Sequence, residues 1–392
     1  MAIAAVRVRV PLRVPQSPLI NRFRGLFYFA TGMNINDKYM KRALQLAARG
    51  RGYTSPNPMV GAVIVHNDTI IGEGYHRRCG EPHAEVNAVN SVTNKELLKD
   101  STIYVTLEPC SHYGKTPPCA QLIIDSNIPR VVIGCLDPFE KVSGRGVKML
   151  QDHGIDVVTG VLEAECRSLN SRFMTAHTLR RPWVTLKWAQ SSDMFMDHKR
   201  DKNAAAARFS TPLTSALTHR LRSLHDGIIA ASGTIIADNP SLNVRLFDGN
   251  SPRVIALDRR GLIPADAAIF NADKPVIYVS AAKRQDLHNA EIIEVSPDAT
   301  IADYLNALYN HGITSVLVEG GATLLQQFID SRLWDIARVE THPEALGENG
   351  SVSSPVLGLT PIKNYSIDGN SIDIYSQNST ILPNDLDFCN FV

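Results

Sequence analysis

From Asn36 onward, Tyr39, Met40, Ala43, Leu44, Leu46 and Ala47 recur near a 3.6-residue period, and Gly50 and Gly52 end the helix this spacing predicts. The stiff stretch Ser55-Pro56-Asn57-Pro58 follows. Val60–Val65 is a short β-branched run that reads as a strand, Asn67-Asp68 as a turn, and Thr69–Gly74 as the returning strand. The pattern then alternates: a helix from His83 to about Val92, a strand over Thr102–Leu107 and a helix from Pro118 to Ser126. A strand over Val131–Cys135, a helix over Gly146–His153 and a strand over Asp156–Gly160 complete this part. A linker is expected around Leu179-Arg180-Arg181-Pro182. Beyond it, Trp183–Trp188 reads as a strand and Thr214–Leu224 as a helix. Further strands are expected at Gly227–Ala231, Arg253–Asp258, Pro275–Ser280 and Ser315–Glu319, the last leading through Gly320-Gly321 into a helix to about Ile329. Strands alternating with helices predict α/β sheets covered on both faces, here in two successive units.

A length of 392 residues agrees with two domains. Hydrophobic residues at 44% and charged residues at 20% are ordinary for a folded chain. No apolar run approaches the roughly 18–20 residues that a membrane-spanning helix needs. Forty basic against thirty-nine acidic residues give no sign of a protein built mainly to coat nucleic acid. Six cysteines are too few for a disulfide scaffold and fit a reducing compartment, so a cytoplasmic location is expected. The first 32 residues stand apart, with Arg7, Arg9, Arg13, Arg22 and Arg24, no acidic residue, and Pro11, Pro15 and Pro18. They read as a disordered extension or an organelle-targeting leader and lie outside the fold argument. Without them, 35 basic face 39 acidic residues, so the rest of the chain is slightly acidic. The expected division is residues 1–32, 33–178 and 182–392.

The strongest chemical signal is His83-Ala84-Glu85, followed by Pro109-Cys110 and by Cys119. Two thiolates and an imidazole are ligands that zinc prefers, and three protein ligands leave the fourth tetrahedral position open, as in a catalytic site. Water activated there can attack an amidine-like ring carbon. Glu85 is the natural proton shuttle, taking a proton from water and returning it to the departing amine. This order of residues is that of zinc nucleobase deaminases, in which the glutamate is not a ligand. One departure stands out: eight residues, Ser111 to Pro118, separate the two cysteines instead of two. Cys79, Cys135, Cys166 and Cys389 have no partners at ligand spacing and are expected to be simple thiols.

The loop Pro56-Asn57-Pro58-Met59-Val60-Gly61, the His-Ala-Glu triplet and the run Thr106-Leu107-Glu108-Pro109-Cys110-Ser111-His112-Tyr113-Gly114-Lys115-Thr116-Pro117-Pro118-Cys119 resemble the bifunctional riboflavin-biosynthesis deaminase-reductases. Asp137-Pro138 and Gly144-Arg145-Gly146 fit the same family, and the likeness extends over about residues 33 to 385. The resemblance implies a cytidine-deaminase-like three-layer α/β/α domain over 33–178, followed by a dihydrofolate-reductase-like α/β domain over 182–392. It further implies Zn2+ in the first domain and NADPH in the second. The implied substrate is a small pyrimidine ribotide, 2,5-diamino-6-(5-phosphoribosylamino)pyrimidin-4-one. Its ring amino group is hydrolysed, and the ribosyl group of the product is then reduced to ribityl. By the same likeness, Asn57 would bind the base, and His112, Lys115 and Arg145 would lie near the sugar phosphate.

In the second half, the residues alone indicate a strand, two glycines and a helix start at Val316–Leu324, a loop able to approach a phosphate. It is not a G-x-G-x-x-G fingerprint. Thr234, Asp238-Asn239-Pro240-Ser241-Leu242 and Arg245 form a second polar cluster after a strand, with a simple Asp-capped loop as the plainer reading. The resemblance assigns Ala189, Thr234, Asp238, Gly321, Ala322, Thr323 and Leu324 to the nicotinamide cofactor. It assigns Arg222, Leu242, Arg245 and Glu319 to the substrate. Two positions depart from the family: Met194 stands where glycine is usual, and Arg208 occupies about the place of a tryptophan. A deaminase acting on nucleic acid, with the second half as a binding module, is an alternative. It would call for clustered Lys/Arg and stacking aromatics, whereas aromatics are 7%. A non-enzymatic sensor is a third reading. No nucleic-acid or membrane partner is expected, and a homo-oligomer is compatible with the chain.

Overall fold

A computed structural model describes residues 34–113, 117–138, 143–199 and 205–377. The Arg-rich extension, Lys115 and Cys389 lie outside the described residues. In chain order the first unit contains α1 (Ile35–Ala47), β1 (Gly61–His66), β2 (Thr69–Tyr75), α2 (Ala84–Ser91), β3 (Thr102–Leu107) and α3 (Cys119–Asp125). It continues with β4 (Arg130–Cys135), α4 (Arg145–Asp152), β5 (Asp156–Thr159), α5 (Glu163–Leu169) and α6 (Ser171–Leu179). Its five-stranded sheet has the order β2-β1-β3-β4-β5. The β2, β1 and β3 pairs are antiparallel, whereas β3, β4 and β5 run parallel.

Strand alternation divides the core of this sheet. Ala62, Ile64, Ile103, Val105, Val131 and Ile133 face Ala84, Ala88, Ala120, Ile123 and Leu150 from α2, α3 and α4. On the opposite face, Val63, Val65, Tyr104, Leu107 and Val132 pack on Tyr39, Met40 and Leu46 of α1, Cys166 of α5 and Met174 of α6. Helices thus cover both faces, giving the three-layer arrangement expected.

The second unit holds β6 (Trp183–Gln190), β7 (Phe195–His198), α7 (Pro212–Ser223), β8 (Gly227–Ala231), α8 (Ser232–Asp238), β9 (Arg253–Leu257) and β10 (Val276–Ser280). After these come β11 (Ala290–Glu294), α9 (Ile301–Asn310), β12 (Ser315–Val318), α10 (Ala322–Asp330), β13 (Ile336–Thr341), β14 (Gly350–Ser353), β15 (Lys363–Ile367) and β16 (Asn370–Ser376). Nine strands form one sheet in the order β11-β10-β9-β8-β12-β6-β13-β16-β15. All pairs from β11 to β13 are parallel, and β16 and β15 add an antiparallel edge. Strands such as Val276–Ser280 are buried at every residue, as a parallel sheet covered on both faces requires.

Each expected element exists, with ends shifted by up to two residues. Helices α5 and α6 precede the connection at residues 180–182, which is where the linker is expected. Thr234 and Asp238 of the polar cluster both lie on α8, which ends where Asn239 turns left-handed at φ 40°. The strands after α10 carried too little apolar periodicity to stand out.

Candidate active sites

Three element ends build the first site. His83 is the residue immediately before α2, Glu85 lies in that helix's first turn, and Cys119 opens α3 after Pro118. Cys110 follows β3 across Glu108-Pro109. The His83, Cys110 and Cys119 ligand atoms all lie within 4.8 Å of one another. His83 Nδ1 is 3.3 Å from Cys119 Sγ and 3.7 Å from Cys110 Sγ, and the Cys119 N–H donates to Cys110 Sγ at 3.2 Å. Tetrahedral zinc with Zn–S near 2.3 Å and Zn–N near 2.1 Å has ligand–ligand edges of about 3.6–3.8 Å, so the donor set fits that ion. The longer separation of the cysteines in sequence does not separate them in space.

The electrostatics suit a cation. A hydrogen bond from Cys119 and one from His83 bring the Cys110 thiol down to about 4, whereas the Cys119 thiol is pushed up by the same bond and by burial. The pair therefore shares one proton, which a bound cation would displace. The bond to Cys110 lifts the His83 imidazole to about 8. Glu85 is buried, and loss of hydration raises its carboxyl to about 7. A carboxyl with that value can both take and give a proton near neutrality. Cys135 and Cys166 are buried thiols pushed up by desolvation, and Cys79 is exposed; all three are free.

Glu108 organises the neighbouring loop. Its buried carboxylate accepts main-chain N–H bonds from Asp137, Gly144, Gly146 and Val147 at 2.9–3.3 Å. A Cβ on Gly146 would stand 2.1 Å from the Pro109 carbonyl oxygen, which explains the glycine there. A cavity of about 330 Å³ opens beside the cluster and is lined by Asn57, His76, His83, Glu85, Cys110, His112, Asp137, Phe173 and His177, among others. His76 Nδ1–H donates to the Pro82 carbonyl at 3.2 Å, so its Nε2 accepts from the Asn57 amide at 3.2 Å and fixes that carboxamide. Arg145 is exposed at the start of α4 and is not among the lining residues. His76, Phe173 and His177 were not singled out in the sequence; the i,i+4 spacing of Phe173 and His177 is the one signal that could have found the last two.

The second site lies along strand ends. A cavity of about 1060 Å³ is lined by Thr234 and Asp238 of α8, by Gly320, Gly321, Ala322, Thr323 and Leu324 at the start of α10, and by Met196, Arg259, Arg260 and Tyr304. Gly321 caps α10 without a side-chain bond, leaving the first-turn amides turned to the cavity's end of the helix. Such amides and two arginines suit a phosphorylated cofactor. Ala189 is half-buried in β6 and does not line this cavity. Arg222 of α7 grips Glu319 through two bonds of 2.8 Å, and its third nitrogen donates to the Asn243 carbonyl at 2.9 Å. Leu242 is buried in the core in a left-handed conformation, φ 51°. Arg245 is exposed, and its main-chain N–H donates to the buried His219 Nδ1 at 2.9 Å. Burial lowers the ammonium pKa of Lys187, and Glu319 opposes that shift. Met194 adopts φ 66°, which explains the family's glycine, yet its exposed side chain does not reach the cavity lining. Arg208 is exposed and does not line it either.

Comparison with known proteins matches residues 33–135 to the cytidine and deoxycytidylate deaminase zinc-binding region and residues 182–365 to the RibD C-terminal domain. The second match leaves no support for a nucleic-acid-binding module. The riboflavin biosynthesis protein RibD of Aquifex aeolicus is 37% identical over 336 residues, covering 84% of this chain and 92% of that protein. The structure of Acinetobacter baumannii RibD superposes with a TM-score of 0.80 at 31% identity, covering 87% of this chain and 98% of that one. A diaminohydroxyphosphoribosylaminopyrimidine deaminase/5-amino-6-(5-phosphoribosylamino)uracil reductase from Thermotoga maritima gives 0.77 at 34% identity over the same shares of the two chains. Similarity of this extent, running through both sheets, makes the chain a member of the RibD family of riboflavin-biosynthesis deaminase-reductases.

Proposed function

We propose that residues 33–178 hydrolyse the ring amino group of 2,5-diamino-6-(5-phosphoribosylamino)pyrimidin-4-one, and that residues 182–392 reduce the ribosyl group of the product to ribityl. The convergence of His83, Cys110, Cys119 and Glu85 carries this reading. His83, Cys110 and Cys119 would hold Zn2+, which when bound acts as a Lewis acid making water nucleophilic near neutral pH. Glu85 removes a proton from that water and delivers it to the departing amine, so ammonia leaves as the ring carbon becomes a carbonyl. Asn57, fixed by His76, binds the base. His112, Lys115 and Arg145 are assigned to the ribotide's phosphate end.

In the second unit, Ala189, Thr234, Asp238, Gly321, Ala322, Thr323 and Leu324 are assigned to NADPH, which when bound supplies hydride to the opened ribose. Arg222, Leu242, Arg245 and Glu319 are assigned to the substrate. The Arg222–Glu319 ion pair is bidentate and largely buried, and neither residue lines the large cavity. A cytoplasmic location agrees with the free state of the five described cysteines. No helix among the described residues is long and apolar enough to cross a membrane. The partner is a small molecule, and a homo-oligomer is compatible with the reading.

The test supplies the purified protein with the diaminopyrimidinone ribotide, with and without NADPH. Ammonia is expected in both cases, and NADPH oxidation only after ammonia release begins. Ammonia without NADPH oxidation would sink the reductase assignment, and no ammonia at all would sink the deaminase assignment.

A further inference from the structure

Helix α6 connects the two units, and residues 136–181 lie outside both matched family regions. We propose that Phe173 and His177 on this helix form the aromatic wall of the first site and hold the substrate's pyrimidine ring against the cavity that carries His83 and Glu85. The proposal rests on the deaminase reading and adds residues that set substrate affinity.

Phe173 and His177 line the same cavity as His83, Glu85 and Cys110. At i,i+4 spacing they share one face of the helix, their ring centroids 4.4 Å apart and their planes inclined by 60°. Met174 and Ala176 flank that face and are buried, while Thr178 and Leu179 on the opposite side are exposed. The helix is also clamped to the base-binding loop. Asn170, just before Ser171, accepts the Met59 N–H at 2.8 Å and donates to the Met59 carbonyl at 2.9 Å. Asn57 is two residues from Met59, so the aromatic wall and the base-binding carboxamide form one body.

The chemistry follows from the rings. An aromatic face or edge against a planar pyrimidine adds about 0.5–1.5 kcal/mol beyond area burial. His177 presents its ring to the same cavity. Burial moves its imidazole below the usual histidine range, so it meets the ring as a neutral group. The competing explanation is that Phe173 merely packs on the first unit's core, which it also touches.

Steady-state ammonia release from the diaminopyrimidinone ribotide separates the two. Phe173→Leu, which keeps apolar bulk, and His177→Ala are each expected to raise KM about 5-fold, in line with one lost aromatic contact. Their kcat should stay within about 2-fold. Phe173→Tyr is expected to restore KM, and zinc content, melting temperature and reductase kcat/KM on the deaminated product should match wild type. Unchanged KM in Phe173→Leu and His177→Ala while wild type turns over would overturn the proposal. So would parallel losses of deaminase activity, reductase activity and melting temperature, which would mark a packing role. If wild type itself released no ammonia, the deaminase reading would fall and take this inference with it.

Discussion

The two sites solve opposite problems. The first gathers four side chains from three element ends into a small cluster beside a cavity of about 330 Å³. The second spreads its groups along the ends of parallel strands around a cavity of about 1060 Å³. In the first, burial keeps a carboxyl protonatable near neutrality; in the second, burial keeps His219 neutral so that it can accept main-chain N–H bonds. A compact ion site needs a few exact donors, and residue type at short spacing reveals those. A cofactor trough needs main-chain amides and shape, which residue type hardly encodes. The difference teaches that the same chain can be chemically explicit in one half and topologically explicit in the other.

The sharpest way to break this comparison is Glu85→Gln. Ammonia release should fall about 1000-fold, the range of one general acid–base group, with zinc retained and reduction of the deaminated product unchanged. Loss of zinc from that variant would make Glu85 a ligand and dissolve the contrast between donor and shuttle. Arg222→Ala comes next. It strips the partner from a side chain, Glu319, that is only 12% exposed, so urea unfolding should show a loss of about 3 kcal/mol. Reductase KM should rise while ammonia release holds.

His219 gives a smaller, pH-dependent effect. Burial, reinforced by Arg222 and Arg245, depresses its imidazole to about 4, below the ordinary 6.5. The unfolded chain therefore binds a proton first, and the stabilisation is complete above about pH 6.5 and lost as pH falls toward 4. A progressive loss of stability over that window is expected in urea titrations, and His219→Gln should flatten it. A slope identical in the variant would show that other groups govern acid sensitivity. Smallest of all, Met194→Gly should stabilise the turn at φ 66° by about 1 kcal/mol in thermal unfolding, since glycine adopts that conformation without a Cβ penalty. Destabilisation would mean that the methionine side chain packs productively.

The first sheet and the central strands of the second were legible because they are short β-branched runs, as in Val131–Cys135 and Ser315–Glu319, whereas β11, β13, β15 and β16 were not. Helices α5 and α6 were hidden because Glu163–Leu179 mixes polar, charged and apolar residues without a clear apolar face. The cluster of His83, Cys110 and Cys119 was readable since metal chemistry restricts residue type, even across an eight-residue insert. His76 was not, because its role comes from a fold-dependent bond to Asn57. Thr234 and Asp238 were marked by resemblance, but their placement on a helix depends on the β8 strand end that precedes it. Ala189, marked the same way, sits in β6 outside the cavity lining, since an alanine carries no signal of the direction it faces.

Metal analysis of protein actively releasing ammonia, without any nicotinamide present, weighs most directly on the central claim. One zinc per chain, lost together with ammonia release when Cys110 and Cys119 are both replaced by serine, is the expected result. Undiminished turnover in the double variant, or an active wild type with no stoichiometric metal, would contradict it.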